Sequence, residues 1–282
     1  MLINKLSSIV QLNKKSASPP YLRNLLKEAL QGYVLNYVYS SRYGKSFIFK
    51  GGTALRFCFG LPRLSEDLDF DVANFNNLSI SRFERDLTNY FVGSLQVKDF
   101  EFKLAGNKSQ MYLKFPMLDR VGLNITPSDS NVLFVRIDLG PLDSKYYMKE
   151  ISIKNIGDFN FIINRYSLAD MCSSKIAAIL QRTFRKDKGG LITFKGRDYY
   201  DLIWFMEQRV EPNLKRLKDI TKISKTAEIQ TLLDKNIQAI KSNYLKEDLL
   251  PFFTDSSFVE NFANNFHKLY QNNRQLLGLM NK

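Results

Sequence analysis

From Asp67 to Val72 the chain reads Asp-Leu-Asp-Phe-Asp-Val, a strict alternation of carboxylate and apolar side chain. Successive residues of a strand point to opposite faces, so the pattern sends Leu68 and Phe70 into a core and gathers Asp67, Asp69 and Asp71 on the other face. Carboxylates gathered on one face repel each other. A solvated edge strand tolerates that; otherwise a cation sits among them, and oxygens from residues i and i+2 suit a hard divalent ion such as Mg²⁺. Just upstream, Lys50-Gly51-Gly52-Thr53 opens an apolar run with helical spacing. The glycines let backbone N–H groups approach a ligand closely, and the helix start turns its positive end toward it, which is the layout of a phosphate cradle. An anion cradle beside carboxylates supplies the two halves of a Mg²⁺–triphosphate site.

The rest of the chain supports a mixed sheet followed by helices. Pro19-Pro20 follows a polar lead and opens a helix with Leu22, Leu25, Leu26, Leu30, Val34 and Tyr37 at helical spacing. Besides 67–72, strands are expected over 46–50, 95–104, 109–115, 131–139 and 150–156, with a helix over 81–91. From Ser167 onward the periodic segments 167–184, 197–208, 227–240 and 257–271 have helix length. The expected class is α+β, with residues 1–160 forming a sheet-based core with an N-terminal helix and 161–282 a mainly helical domain.

With 44% hydrophobic residues in 282, the chain has enough apolar surface for a packed core, and its formal charge of +13 favours a polyanionic partner. Nucleic acid is favoured over membrane, because no basic amphipathic stretch carries a broad apolar face. No run of about 18 apolar residues and no leader-like N-terminus is present, so a cytoplasmic protein is expected. Cys58 and Cys172 lie in apolar runs and read as small buried hydrophobes in a reducing compartment. His267 is the only histidine, which excludes His-based triads and multi-His zinc sites.

Gly-Gly, a short helix and Asp-x-Asp together resemble the signature of nucleotidyltransferases with the DNA polymerase β-like fold. Lys50-Gly51-Gly52-Thr53-Ala54-Leu55 with Arg63-x-Ser65-x-Asp67-Leu68-Asp69-Phe70 is similar, more closely, to the AbiEii family of nucleotidyltransferase toxins from bacterial type IV toxin–antitoxin systems. Ser174-Lys175-Ile176-Ala177-Ala178-Ile179 and Arg197-Asp198-Tyr199-Tyr200-Asp201-Leu202 agree with that family, so the resemblance runs from about Lys50 to Trp204. Thr53 stands where the wider superfamily commonly has Ser, and the terminal helices carry no family motif.

The resemblance implies a polymerase β-like core and a metal-dependent enzyme that moves a nucleoside monophosphate from an NTP to an acceptor hydroxyl, releasing pyrophosphate. It assigns two Mg²⁺ to Asp67 and Asp69, with a third carboxylate from a later strand. Asp138, alternating with Ile137 and Leu139, is the candidate, and Asp71 competes by local geometry. Gly51, Gly52, Thr53, Arg63 and Ser65 fall to the nucleotide, Lys175 to its triphosphate, and Asp198 to the nucleotide or to orienting Lys175. Asp201 reads as a first-turn partner of the helix dipole. Ser65 is expected on the rim of the site, where modification by a partner would disturb metal or triphosphate. The implied acceptor is the 3′ end of tRNA, the implied outcome blocked translation and growth, and the implied partner an antitoxin. A small-molecule or protein nucleotidyltransferase, or a non-catalytic nucleotide- or RNA-binding module, remains as an alternative, and intact Asp67 and Asp69 count against the last.

Arg182, Arg185, Lys186, Lys188, Lys195 and Arg197 crowd one short region in which Asp187 is the internal acid, as RNA phosphates would require. Tyr199, Tyr200 and Trp204 suit base stacking or, at helical spacing, a core.

Overall fold

Ser18 accepts a hydrogen bond from the Tyr21 N–H, and Pro19-Pro20 set the first turn, so α2 (Pro19–Ser40) begins where its sequence signals. The computed structural model describes residues 2–105, 109–123, 130–182 and 195–279. Before α2 lies α1 (Leu2–Asn13), in the segment expected to be a polar lead. Leu2, Leu6 and Val10, four residues apart, form its buried stripe. The chain divides into two compact units, Met1–Leu142 with Glu150–Arg165, and Asp143–Lys149 with Tyr166–Lys282.

The first unit is built on a mixed sheet, as expected. Strand β1 (Phe47–Lys50) runs straight into α3 (Gly51–Phe59), and β2 (Asp67–Val72) returns antiparallel beside β1 with Phe49 opposite Phe70 and Lys50 opposite Asp69. Helix α4 (Ile80–Thr88) precedes β3 (Glu101–Leu104), β4 (Gln110–Pro116), β5 (Val132–Pro141), β6 (Lys149–Ile156) and β7 (Phe159–Tyr166). The order across the sheet is β3-β4-β5-β2-β1-β7-β6. Thus β5, distant in sequence, lies parallel to β2 with Asp67 opposite Arg136 and Asp69 opposite Asp138.

One face of this sheet is core. Leu68, Phe70, Leu133, Val135, Ile137 and Leu139 are buried, and Phe70 stacks on Phe49 at 5.1 Å between ring centroids. Phe47 lies 5.5 Å from both Phe70 and Phe83, which ties α4 to the same core. By the two-residue alternation, Arg136 and Asp138 share the opposite face with Asp67 and Asp69.

Several boundaries depart from expectation for local reasons. The strand expected over 95–104 is confined to β3, because Gln96 and Asp99 adopt left-handed φ values of 54° and 63° that no strand continues. The helix expected over 81–91 starts at Ile80 and passes at Asn89–Ser94 into a wider π turn. Strand β7 was not expected; its inward Phe161 and Ile163 alternate with exposed Ile162.

The second unit is helical, with α5 (Leu168–Gln181), α6 (Gly196–Glu207), α7 (Leu214–Thr221), α8 (Thr226–Gln238), α9 (Ser242–Leu249) and α10 (Ser256–Asn273); α7 and α9 are additions to the expected set. Its interior includes Arg216, fully buried, with Nη2 2.5 Å from Asp143 and the guanidinium 4.5 Å from the Tyr166 ring centre. Tyr199, Tyr200 and Trp204 are buried, and Tyr200 packs on Phe253 and Phe262 at 5.0 Å. They are core, not a stacking platform. Cys172 is buried and Cys58 only partly so, and neither forms a disulfide. No helix among the described residues is long and apolar enough to cross a membrane.

Candidate active site

The turn from β1 into α3 lies against the carboxylates of β2. Gly51 has φ +79°, and a Cβ there would stand 2.1 Å from Asp69 Oδ2, so only glycine lets the turn approach that oxygen. A Cβ on Gly52 would meet Arg63 Nη2 at 2.6 Å and Ser65 Oγ at 2.9 Å on the other side. Arg63 and Ser65 are therefore the backing of the turn. Both are buried, Arg63 donates to the Leu64 carbonyl at 2.8 Å, and Gln31 donates to the Ser65 carbonyl at 3.2 Å. Ser65 thus does not stand on an exposed rim: it is buried, with 7% of its surface exposed. Thr53, also buried, donates its hydroxyl to the Asp67 carbonyl and so ties α3 to β2.

Register distinguishes the two candidates for a third carboxylate by their surroundings. Asp138 is the cross-strand neighbour of Asp69, whereas Asp71 sits opposite Gly140, fully buried, with Lys50 Nζ 2.5 Å from its Oδ1. Asp67 and Asp138 are bridged by one atom: Arg136 Nη2 lies 2.8 Å from Asp67 Oδ2 and 2.9 Å from Asp138 Oδ2. Burial, followed by the negative charges of Asp67 and Asp138, pushes Asp69 up to about 6, against the opposing pull of Lys50 and Arg136.

The donor chemistry fits a hard divalent cation. Asp67, Asp69 and Asp138 offer carboxylate oxygens on one face, two of them already turned to a shared cation, and crowding makes ionised Asp69 costly without further positive charge. As they stand, however, no three His, Cys, Asp or Glu side chains among the described residues converge as metal ligands.

In the second unit, Lys175 Nζ lies 2.9 Å from Asp198 Oδ1 and 2.7 Å from Asp201 Oδ2, and Asp198 also pairs with Arg182. The reading of Asp201 as a dipole partner is corrected: it lies in the second turn of α6, is fully buried, and is held by a lysine. Lys195 is the residue preceding α6, partly exposed. Arg185, Lys186 and Lys188 lie outside the described residues.

Lys50 and Arg136 are charged groups to which sequence reasoning gave no role of their own. For Arg136 the signal was present, since it stands two residues before Asp138 and hence on its face.

The family model described as nucleotidyl transferase AbiEii toxin, type IV TA system, matches residues 34–266. Among solved structures, MenT4, a nucleotidyltransferase toxin of Mycobacterium tuberculosis, is 13% identical, with 98% of this chain and 94% of that chain covered at a TM-score of 0.58. JHP933 of Helicobacter pylori is 16% identical over 90% of this chain and 93% of that chain, at a TM-score of 0.48. No curated protein matches in sequence. The likeness to MenT4 shows a shared fold.

Proposed function

The chain belongs to the AbiEii family of nucleotidyltransferase toxins of type IV toxin–antitoxin systems, and on that premise we propose that it transfers a nucleoside monophosphate from an NTP to the 3′ end of tRNA, releasing pyrophosphate. The observation that carries this reading is the placement of Gly51 directly against Asp69, with Asp138 beside Asp69 across the strand pair. An anion-binding turn and a carboxylate set share one small space, as transfer from a metal-bound triphosphate requires.

Asp67, Asp69 and Asp138 are the residues that would hold Mg²⁺. When bound, the metal would supply Lewis-acid stabilisation of charge on the transferred phosphoryl group and on the departing pyrophosphate. Backbone N–H groups of Gly51 and Gly52, at the start of α3, receive the leaving phosphates. Thr53, Arg63 and Ser65 serve the nucleotide through the shape of that turn. Asp138 accepts the proton of the acceptor hydroxyl.

Lys175 provides a compact positive charge for the triphosphate, and Asp198 with Asp201 fixes its position. Arg182, Arg185, Lys186, Lys188 and Lys195 neutralise RNA phosphates. Family membership supports an antitoxin as the restraining partner and growth arrest through blocked translation as the outcome. The cytoplasm, where tRNA and NTPs are found, is the proposed compartment.

Incubating the protein with Mg²⁺, each radiolabelled NTP in turn, and total RNA or total protein tests the reading. Label on tRNA-sized RNA, removed by mild 3′ trimming, is expected. Label confined to protein or to small molecules would overturn the acceptor assignment, and no transfer with any NTP would overturn the reaction.

A further inference from the structure

Arg136 occupies a position that the proposed chemistry needs for something else. Its strand partner is Asp67 and its same-face neighbour on β5 is Asp138, and a single guanidinium nitrogen sits within hydrogen-bonding distance of both. A cation shared by these two oxygens is therefore already in place. Oxygens that bind Mg²⁺ close to about 2.0–2.1 Å from it, which leaves no room for a guanidinium between the same pair.

The hold on Arg136 is also slight for a charged side chain packed inside a protein. Both ion pairs run through one nitrogen, and among the described residues nothing accepts a hydrogen bond from its buried Nε. Its side chain keeps 28% of its surface exposed. Arg216 also has a buried nitrogen, Nη1, without an acceptor among the described residues, but it differs in having no exposed surface, in donating through both Nε and Nη2, and in lying on an aromatic ring. Arg216 is enclosed on every side, whereas Arg136 has a side open to solvent.

We infer that Arg136 is a displaceable counter-cation: it neutralises Asp67 and Asp138 while the site is empty, must release them when metal enters, and so weakens metal binding to the nucleotide-free protein. This inference rests on the reading of Asp67, Asp69 and Asp138 as metal ligands. It makes Arg136 a positioning residue that holds the carboxylate pair apart and in register. An incoming triphosphate gives the released guanidinium a new anionic partner, so metal and nucleotide arrive more readily together than metal alone.

The test is Mn²⁺ binding to nucleotide-free protein, followed by electron paramagnetic resonance and calorimetry, in wild type, Arg136→Gln and Asp69→Asn. Arg136→Gln should bind Mn²⁺ about tenfold or more tightly than wild type, the scale on which one adjacent charge shifts an ionic equilibrium. Its melting temperature should be lower without metal and recover further on adding Mn²⁺ than that of wild type. A folded Arg136→Gln protein with Mn²⁺ affinity equal to or below wild type would overturn the inference while leaving the metal reading intact. Saturable Mn²⁺ binding that Asp69→Asn fails to remove, or no saturable binding in any variant, would overturn the metal reading and the inference with it. Should Arg136→Gln not fold, Arg136→Lys serves: its single ammonium bridges the pair less well, and an affinity no higher than wild type counts against displacement.

Discussion

Gly51 and Asp69 approach each other so closely that no space remains for a β-carbon, which would stand 2.1 Å from the carboxylate oxygen. The turn and the carboxylate thus hold each other's position, and the left-handed φ of Gly51 adds backbone strain to any replacement. Gly51→Ala should reduce stability by about 1–3 kcal/mol. It should also lower transfer by about a hundredfold, because either the turn or Asp69 must move. Urea denaturation beside a single-turnover transfer assay checks both, and near-normal values would remove the turn from the mechanism.

Asp69 titrates near 6, above its ordinary value, so the folded protein holds this proton more firmly than the unfolded chain. The resulting stability is fully present below the unfolded value near 4 and is lost as pH rises through about 6. In metal-free buffer, wild type should lose on the order of 2 kcal/mol between pH 4 and pH 7 from this group. Asp69→Asn should lack that loss, be more stable than wild type at pH 7, and be inactive in transfer. Parallel pH–stability curves for the two proteins would contradict the assignment.

Lys50 is the nearby cation for a carboxylate with no exposed surface, Asp71. Removing it by Lys50→Ala leaves a buried negative charge and should cost about 3 kcal/mol, whereas replacing both residues with apolar ones of similar size should recover much of that loss. A double-mutant cycle in urea measures the coupling, which would be near zero if the pair were merely adjacent.

Lys175 sits between Asp198 and Asp201, so Lys175→Met should destabilise the helical unit by about 3 kcal/mol, unlike substitution of a surface lysine. It should also raise the NTP concentration needed for transfer while leaving RNA affinity close to wild type. Filter binding of tRNA and NTP titration separate the two effects, and an equal loss in both would remove the distinction.

Replacing Arg185, Lys186 and Lys188 together by Gln should weaken tRNA binding and reduce the slope of log affinity against log salt by about 2–3, roughly one unit for each RNA phosphate that is no longer neutralised. An unchanged slope would exclude these residues from the RNA-binding surface.

What could be read from the sequence was whatever repeats within a few residues. The two-residue period of Asp67–Val72 and the helical spacing after Ser167 appear as β2 and α5 in the fold. Register between distant strands has no such local signature, so Asp138 beside Asp69 and Lys50 on Asp71 emerged only with the sheet. Arg136 was overlooked for another reason: a search for metal ligands attends to acids, and a basic residue within the pattern reads as background. The short stripe of α1 was hidden among Ser, Asn and Lys, and the strand expected from Leu95 was undone by two backbone angles that composition does not report.

The parallel seating of β5 beside β2 also has a consequence in time. A growing chain released as far as Pro116 already has the Gly51 turn, Asp67 and Asp69, but not the strand that fits between β4 and β2 and brings Arg136 and Asp138. A one-residue slip of that late strand would exchange Asp138 for Ile137 or Leu139 at the position beside Asp69. An unfinished chain therefore lacks the full set of neighbouring carboxylates until β5 has been inserted beside β2 in the correct frame.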